Sequence, residues 1–128
     1  MKNDRMFLKC GICGNIIAMI ENAGPTPVCC GQKMNLLEPG TSDGSREKHV
    51  PVATRTEKGI EVHVGSEPHP MTEAHHIAWI VLAGENWTQR IKLDPTGKPE
   101  ATFCVCDNTE SVSVYEYCNI HGLWSSEL

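Results

Sequence analysis

The sequence is 128 residues long, 40% apolar and 21% charged, with a formal net charge of −5, enough for one β-type core and a small module. Its acidic balance, without a long run of either sign, argues against nucleic acid or an anionic membrane as a general partner. No stretch approaches the roughly 20 apolar residues of a membrane span, and Met1 to Lys9 carries charge without an apolar core, so it does not read as a secretory signal and a cytoplasmic location is expected.

Residues 1–37 form a cysteine-rich module. Seven cysteines, an odd number, do not make a closed disulfide framework, and in a reducing compartment such spacings read as metal ligands or reactive thiols. Cys10-Gly11-Ile12-Cys13 is a metal knuckle: its two thiolates reach one ion, and Gly11 with Gly14 relieves crowding where backbone amides point at sulfur. After the apolar stretch Ile16 to Ile20 and a Gly24-Pro25 turn comes an adjacent pair, Cys29-Cys30, followed by Gly31. The shared peptide of that pair predicts a distorted tetrahedron. Four thiolates suit a tetrahedral zinc or a single iron, and spacing alone does not separate a structural zinc from a redox iron. A module of about 35 residues buries too little surface to fold alone. Metal binding must supply much of its stability, with help from a dimer partner.

The knuckle followed by a Cys-Cys pair resembles desulforedoxin, a small iron protein, over roughly Met6 to Leu36. That resemblance implies iron at this site.

Residues 38–45, Glu-Pro-Gly-Thr-Ser-Asp-Gly-Ser, read as a linker. From residue 46 to 128 the pattern is short strands and turns. Val50 to Thr56 and Ile60 to Val64 flank Glu57-Lys58-Gly59 as a hairpin, with Ile60, Val62 and Val64 alternating with polar residues. Ile77 to Ala83 is a continuous apolar run fit for a central strand, and Gly84-Glu85-Asn86 turns it into Trp87 to Leu93. Asp94 to Pro99 is a second turn, and Ala101 to Cys106 and Ser111 to Cys118 are read as the last two strands. No helix longer than a turn or two is expected. The spacing predicts an all-β chain whose second domain is an immunoglobulin-like β-sandwich.

This second domain holds all six histidines. Four lie at expected strand ends or in loops: His49 in Glu47-Lys48-His49-Val50-Pro51, His69 in Pro68-His69-Pro70-Met71, His75 at the head of His75-His76-Ile77-Ala78-Trp79-Ile80, and His121 in Cys118-Asn119-Ile120-His121-Gly122-Leu123-Trp124. Structural zinc normally stops at four ligands, whereas four imidazoles and a thiolate with one position left open suit iron performing chemistry. A thiolate opposite the open position pushes electron density towards whatever binds there.

Those motifs, in this order behind the cysteine module, resemble the superoxide reductases of the desulfoferrodoxin and neelaredoxin family. The resemblance implies a second iron, with His49, His69, His75 and His121 equatorial and Cys118 axial. It also implies one-electron reduction of superoxide to hydrogen peroxide, an external donor such as rubredoxin, and a homodimer. In that family a lysine and a glutamate matching Lys48 and Glu47 act at the open position. The resemblance thus implies that Lys48 attracts the anion and helps supply protons, and that Glu47 occupies the position after oxidation. Taken alone, that pair reads as solvated surface charge.

Other residues have blander readings. His76 points away from His75 in an extended segment, and His63 is expected at the surface. Cys104 and Cys106, with Cα atoms roughly 7 Å apart in a strand, are too far apart for an easy disulfide and are expected to be small buried or half-buried residues. Trp79, Trp87 and Trp124 are expected to pack the core or the site. The competing functions are a superoxide dismutase, whose metal is both oxidised and reduced by superoxide, and a zinc-binding or electron-transfer protein using the four cysteines alone.

Overall fold

The structure, a computed structural model, describes residues 7–40, 46–106 and 110–128. It divides into two compact units, Met1–Glu38 and Pro39–Leu128.

The first unit is made of very short antiparallel strands. β1 (Phe7–Lys9) lies between β2 (Ile16–Ala18) and β5 (Asn35–Leu36), and β3 (Val28–Cys29) pairs with β4 (Gln32–Lys33) in a separate hairpin. Its buried cluster is Leu8, Cys10 and Met34, with Met19 and Cys29 packed against it. Two of those five residues are metal-ligand candidates, so this core is inseparable from the site.

The second unit opens with one helical turn, α1 (Arg46–His49), and continues as two facing antiparallel sheets. One sheet orders β10 (Glu100–Cys104), β7 (Gly59–Val64) and β6 (Pro51–Thr56). The other orders β12 (Gly122–Glu127), β11 (Ser113–Cys118), β8 (Ile77–Ala83) and β9 (Thr88–Lys92). A three-plus-four sandwich is the immunoglobulin-like arrangement. Alternation explains the smaller sheet: Ile60, Val62 and Val64 of β7 are buried while Glu61 and His63 are exposed. They meet Phe103 from β10, Ile80, Leu82 and Val114 from the larger sheet and Val112 just before β11, in one apolar cluster that also contains Cys118.

Two features differ from the sequence reading. The final strand β12 was not expected, because Ser125-Ser126-Glu127 hides its pattern; full backbone pairing with β11, from Ser113↔Glu127 to Cys118↔Gly122, makes it a strand. Cys104 and Cys106 are both exposed rather than buried or half-buried. Their parity puts them on the outer face of β10 and its extension, opposite the core-facing Phe103. Of the expected linker, residues 41–45 lie outside the described residues, and Gly40 already donates its N–H to Leu123 O (2.8 Å) within the second unit.

Candidate metal centres

In the first unit the sulfurs of Cys10, Cys13, Cys29 and Cys30 lie within 4.8 Å of one another. Two loops deliver them. The first closes through Gly14 N–H to Cys10 O (3.1 Å) and Cys10 N–H to Asn15 O (2.8 Å). Inside it the N–H groups of Ile12 and Cys13 both donate to Cys10 Sγ at 3.4 Å. Those amides, Cys13 first, pull the Cys10 thiol down to about 6, so it meets a metal already as thiolate at neutral pH. The second loop is the β3–β4 turn. There Cys30 adopts φ +52°, a left-handed conformation that side chains other than glycine rarely take. The reversal lets two adjacent cysteines face one point.

Cys13 Sγ lies 3.6 Å from Cys29 Sγ, and Asn15 Nδ2 donates to Cys29 Sγ at 3.7 Å. Sharing protons with Cys13 and Cys10 holds the Cys29 thiol up and pushes that of Cys30 up to about 12. Sulfurs this crowded ionise together only around a cation, so the donor set fits a four-thiolate metal.

The second group is His49, His69, His75, Cys118 and His121, whose ligand atoms also lie within 4.8 Å of one another. Each comes from the margin of a sandwich element. His49 ends α1, His69 lies in the β7–β8 loop, and His75 stands two residues before β8. Cys118 ends β11, where the pairing with β8 slips by one residue between Tyr117 and Cys118. Such a bulge re-aims a side chain at the rim of a sheet. His121 closes the three-residue hairpin loop Asn119-Ile120-His121, and Gly122 takes the left-handed φ of +80° that this loop needs.

The four imidazoles form a near-square. Successive ring centroids are 4.7 Å apart for His49–His69, 4.7 Å for His69–His75, 5.1 Å for His75–His121 and 4.7 Å for His121–His49, each pair close to perpendicular. The diagonal His49–His75 is 6.5 Å, close to what a square requires. His69 Nδ1 donates to Pro70 O (2.7 Å), because a carbonyl only accepts, and this turns the Nε2 lone pair inwards. That Nε2 is 3.1 Å from His49 Nε2, which is itself 3.1 Å from His121 Nδ1, and His75 Nε2 is buried with no hydrogen-bond partner. Inward-facing nitrogens, one of them orphaned, are costly without a cation and fit one well. Burial lowers His69 to about 4 and also lowers His75, so both rings present neutral, metal-binding nitrogen.

Cys118 is fully buried, and its Sγ is 3.9 Å from His121 Nδ1. Burial raises its thiol, opposed by the N–H groups of His121 and Ile120; the His121 amide donates to Sγ at 3.4 Å. Trp124 stacks on His49 at 5.1 Å and donates Nε1–H to His121 O (3.0 Å), bracing two imidazoles at once. Trp79 instead stacks on Tyr117, and Trp87 packs against the core while donating to Glu110.

Glu47 and Lys48 are exposed on α1. Lys48 is close enough for its charge to contribute to lowering His75. Their backbone is gripped from one side: Ser66 Oγ (3.2 Å) and Glu67 N–H (3.1 Å) both donate to Glu47 O. A Cβ on Gly65, whose φ is +84°, would meet the Lys48 and Glu47 carbonyls at 2.7 and 2.8 Å.

His76 and His63 stand outside the cluster, His76 donating Nδ1–H to Thr72 O (2.9 Å). Sequence reasoning missed Asn119, which has no chemistry of its own, and Glu116. Glu116 is fully buried two residues before Cys118, its carboxylate oxygens have no partner, and burial pushes it up to about 9. A carboxylate in a run of strand residues gives no sequence signal of which face it takes.

Residues 41–127 match the Desulfoferrodoxin family, and residues 3–37 match its N-terminal domain family (Desulfoferrodoxin, N-terminal domain). The desulfoferrodoxin of Syntrophotalea carbinolica is 50% identical over 119 residues, 93% of each chain. That of Nitratidesulfovibrio vulgaris is 45% identical over 127 residues, 99% of each. The superoxide reductase of Treponema pallidum has the same architecture, with a TM-score of 0.75 and 35% identity over 93% of this chain and 98% of that one. The chain belongs to the desulfoferrodoxin family.

Proposed function

We propose that the chain is a two-iron superoxide reductase, reducing superoxide by one electron to hydrogen peroxide with electrons from an external donor such as rubredoxin. The observation that carries this reading is the square of four neutral imidazoles with a buried thiolate beside it, in a chain of this family. His49, His69, His75, His121 and the buried Cys118 would hold the catalytic iron, and Cys10, Cys13, Cys29 and Cys30 would hold the other. A ferrous ion held there would supply the electron and bind the substrate.

The chain's residues supply the rest. One thiolate against a divalent ion leaves a net positive charge at the site, and Lys48 adds another at its exposed side. Together they draw an anion to a protein whose overall charge would repel it. Lys48 would also order water that delivers the two protons peroxide needs, and Glu47 would supply a carboxylate that competes with the substrate for the metal. The tetragonal imidazole set and the tight grip of Ser66 and Glu67 on Glu47 O keep these groups in register.

Residues 1–37 are the desulforedoxin-like module, residues 38–45 the linker and residues 46–128 the reductase domain. Ile12, Ile17, Ile20 and Val28 are exposed on the module, which supports a homodimer in which a second copy covers them. No helix among the described residues is long and apolar enough to cross a membrane, and the free cysteines suit the reducing cytoplasm.

The test is metal analysis with visible spectra of both oxidation states, followed by pulse-generated superoxide and a counted donor. Two irons per chain and one donor electron consumed per superoxide, without dioxygen release, are expected. Dioxygen release with no donor consumed would make the chain a dismutase. A colourless zinc protein that stays inactive after iron reconstitution would remove the enzymatic reading altogether.

A further inference from the structure

His75 reaches the imidazole square from a turn with no strand of its own. That turn closes on itself: Thr72 N–H donates to His75 O (2.9 Å), His75 N–H donates to Thr72 Oγ1 (3.1 Å), and His76 Nδ1–H donates to Thr72 O. Nothing in those bonds ties it to the hairpin that carries Cys118 and His121. Asn119 does. Its Oδ1 accepts from His76 N–H (2.8 Å), its Nδ2 donates to Ala74 O (3.0 Å), and its own N–H donates to His76 O (3.1 Å). The side chain thus binds the backbone on both sides of His75, across sequence separations of 43 and 45 residues.

The hairpin itself does not need asparagine here. Asn119 is absent from the positive-φ residues, so a left-handed backbone does not select it, and both ends of its amide are spent on the distant turn. An amide is the one small side chain that offers an acceptor and a donor in one plane, which bracketing a single residue requires.

We propose that Asn119 is a positioning residue that clamps the His75 turn to the Cys118–His121 loop and so sets where the His75 imidazole stands relative to the Cys118 thiol. This rests on His75 being a ligand of the second iron. Because His75 Nε2 has no protein partner, its position in the square is fixed from behind, through its backbone. Loosening the clamp lets that ligand drift while the other three remain held by α1, by Pro70 and by the β11–β12 hairpin.

The experiment uses the full chain carrying Asn119→Ala, Asn119→Asp or His75→Ala, each reconstituted with iron. Three readouts are taken: the electron paramagnetic resonance line shape of the ferric second site, the rate at which a chelator strips that iron, and thermal unfolding of the sandwich. The four-cysteine iron in the same molecule is the internal control. Asn119→Ala is expected to broaden or shift the second-site signal and to speed iron loss by about tenfold, the scale on which outer partners of ligands act. Its unfolding temperature and the first iron should be unchanged. Asn119→Asp keeps the acceptor for His76 N–H and loses the donor to Ala74, so it should fall between. An altered signal and faster loss in His75→Ala, with Asn119→Ala matching the parent chain in both, would overturn the clamp alone. A parent-like signal in His75→Ala would overturn the ligand assignment and the clamp with it. Equal destabilisation of sandwich and signal in both Asn119 variants would reduce Asn119 to a structural residue and overturn the positioning role.

Discussion

The two metal sites of this chain are built by opposite strategies. In the first unit, strands of two or three residues enclose a cluster in which ligand sulfurs are themselves core atoms. In the second, strands of five to seven residues bury a core that is almost free of ligands, Cys118 excepted, and the remaining ligands sit on its margins. The first site therefore makes its fold, and the second is made by its fold. The thiolates carry the same contrast. Backbone amides pull Cys10 down, whereas burial raises Cys118. The first sulfur is prepared for any thiophilic ion; the second stays costly until its own site is assembled around a cation.

Stripping both metals would break this contrast most visibly. Metal binding at small structural sites is worth on the order of 10 kcal/mol, far more than a three-residue core supplies. Hydrogen exchange of the chelated protein should show β1 to β5 losing protection completely, while the amides of β8 and β11 remain slow. Simultaneous loss of protection in β8 would mean that the sandwich also depends on metal.

Replacing the sulfur of Cys118 probes the second site in the same terms. Cys118→Ser keeps the hairpin and its size, since the residue is fully buried with the rest of β11. It should leave the unfolding midpoint nearly unchanged while the rate with superoxide falls by more than about 100-fold, beyond the range seen for outer partners. A variant with full activity would remove Cys118 from the ligand set. A smaller effect belongs to charge. Lys48→Ala should slow the encounter with superoxide by about tenfold at low salt, the lower end of electrostatic steering. It should also flatten the dependence on ionic strength. Stopped-flow rates that match the parent at low salt would return Lys48 to the solvated surface.

How much of this was legible in sequence follows the same division. The four cysteines announce themselves because a site that makes its own fold must place its ligands close in the chain. The scattered histidines were legible only as motifs at strand ends; their square geometry needed the bulge between Tyr117 and Cys118 and the tautomer fixed by Pro70, neither of which has a sequence signature. The hairpin around Glu57-Lys58-Gly59 and the central run of β8 were plain from alternation and length. β12 was hidden because its outer positions are serines that pair through backbone, and Asn119 because its partners lie some 43 residues away. Cys104 misled because cysteine is usually buried, while its parity opposite Phe103 already put it outside.

The smallest effect compares two turns in which a side-chain atom accepts from the backbone N–H two residues on. In the knuckle, Ile12 N–H donates to the sulfur of the residue two before it, Cys10. In the β9–β10 connection, Thr96 N–H donates to Asp94 Oδ1 at 2.9 Å, joined by the Thr96 hydroxyl at 3.1 Å, and Gly97 N–H donates to Asp94 O. One turn awaits a metal, whereas the other is finished by the chain itself. The donors from Thr96, the amide first, hold the Asp94 carboxyl below its ordinary value, so the folded chain binds that proton less readily than the unfolded one. The turn's contribution is then complete above the ordinary aspartate range of about 4 and is lost as pH falls through the folded value. Asp94→Asn keeps an acceptor and removes the charge. The difference in sandwich unfolding temperature between parent and variant, followed by tryptophan fluorescence at matched pH so that histidine and metal effects cancel, should therefore be largest near pH 7 and shrink towards pH 3. An offset that is constant with pH would show that the carboxylate charge takes no part in closing this turn, leaving only its shape.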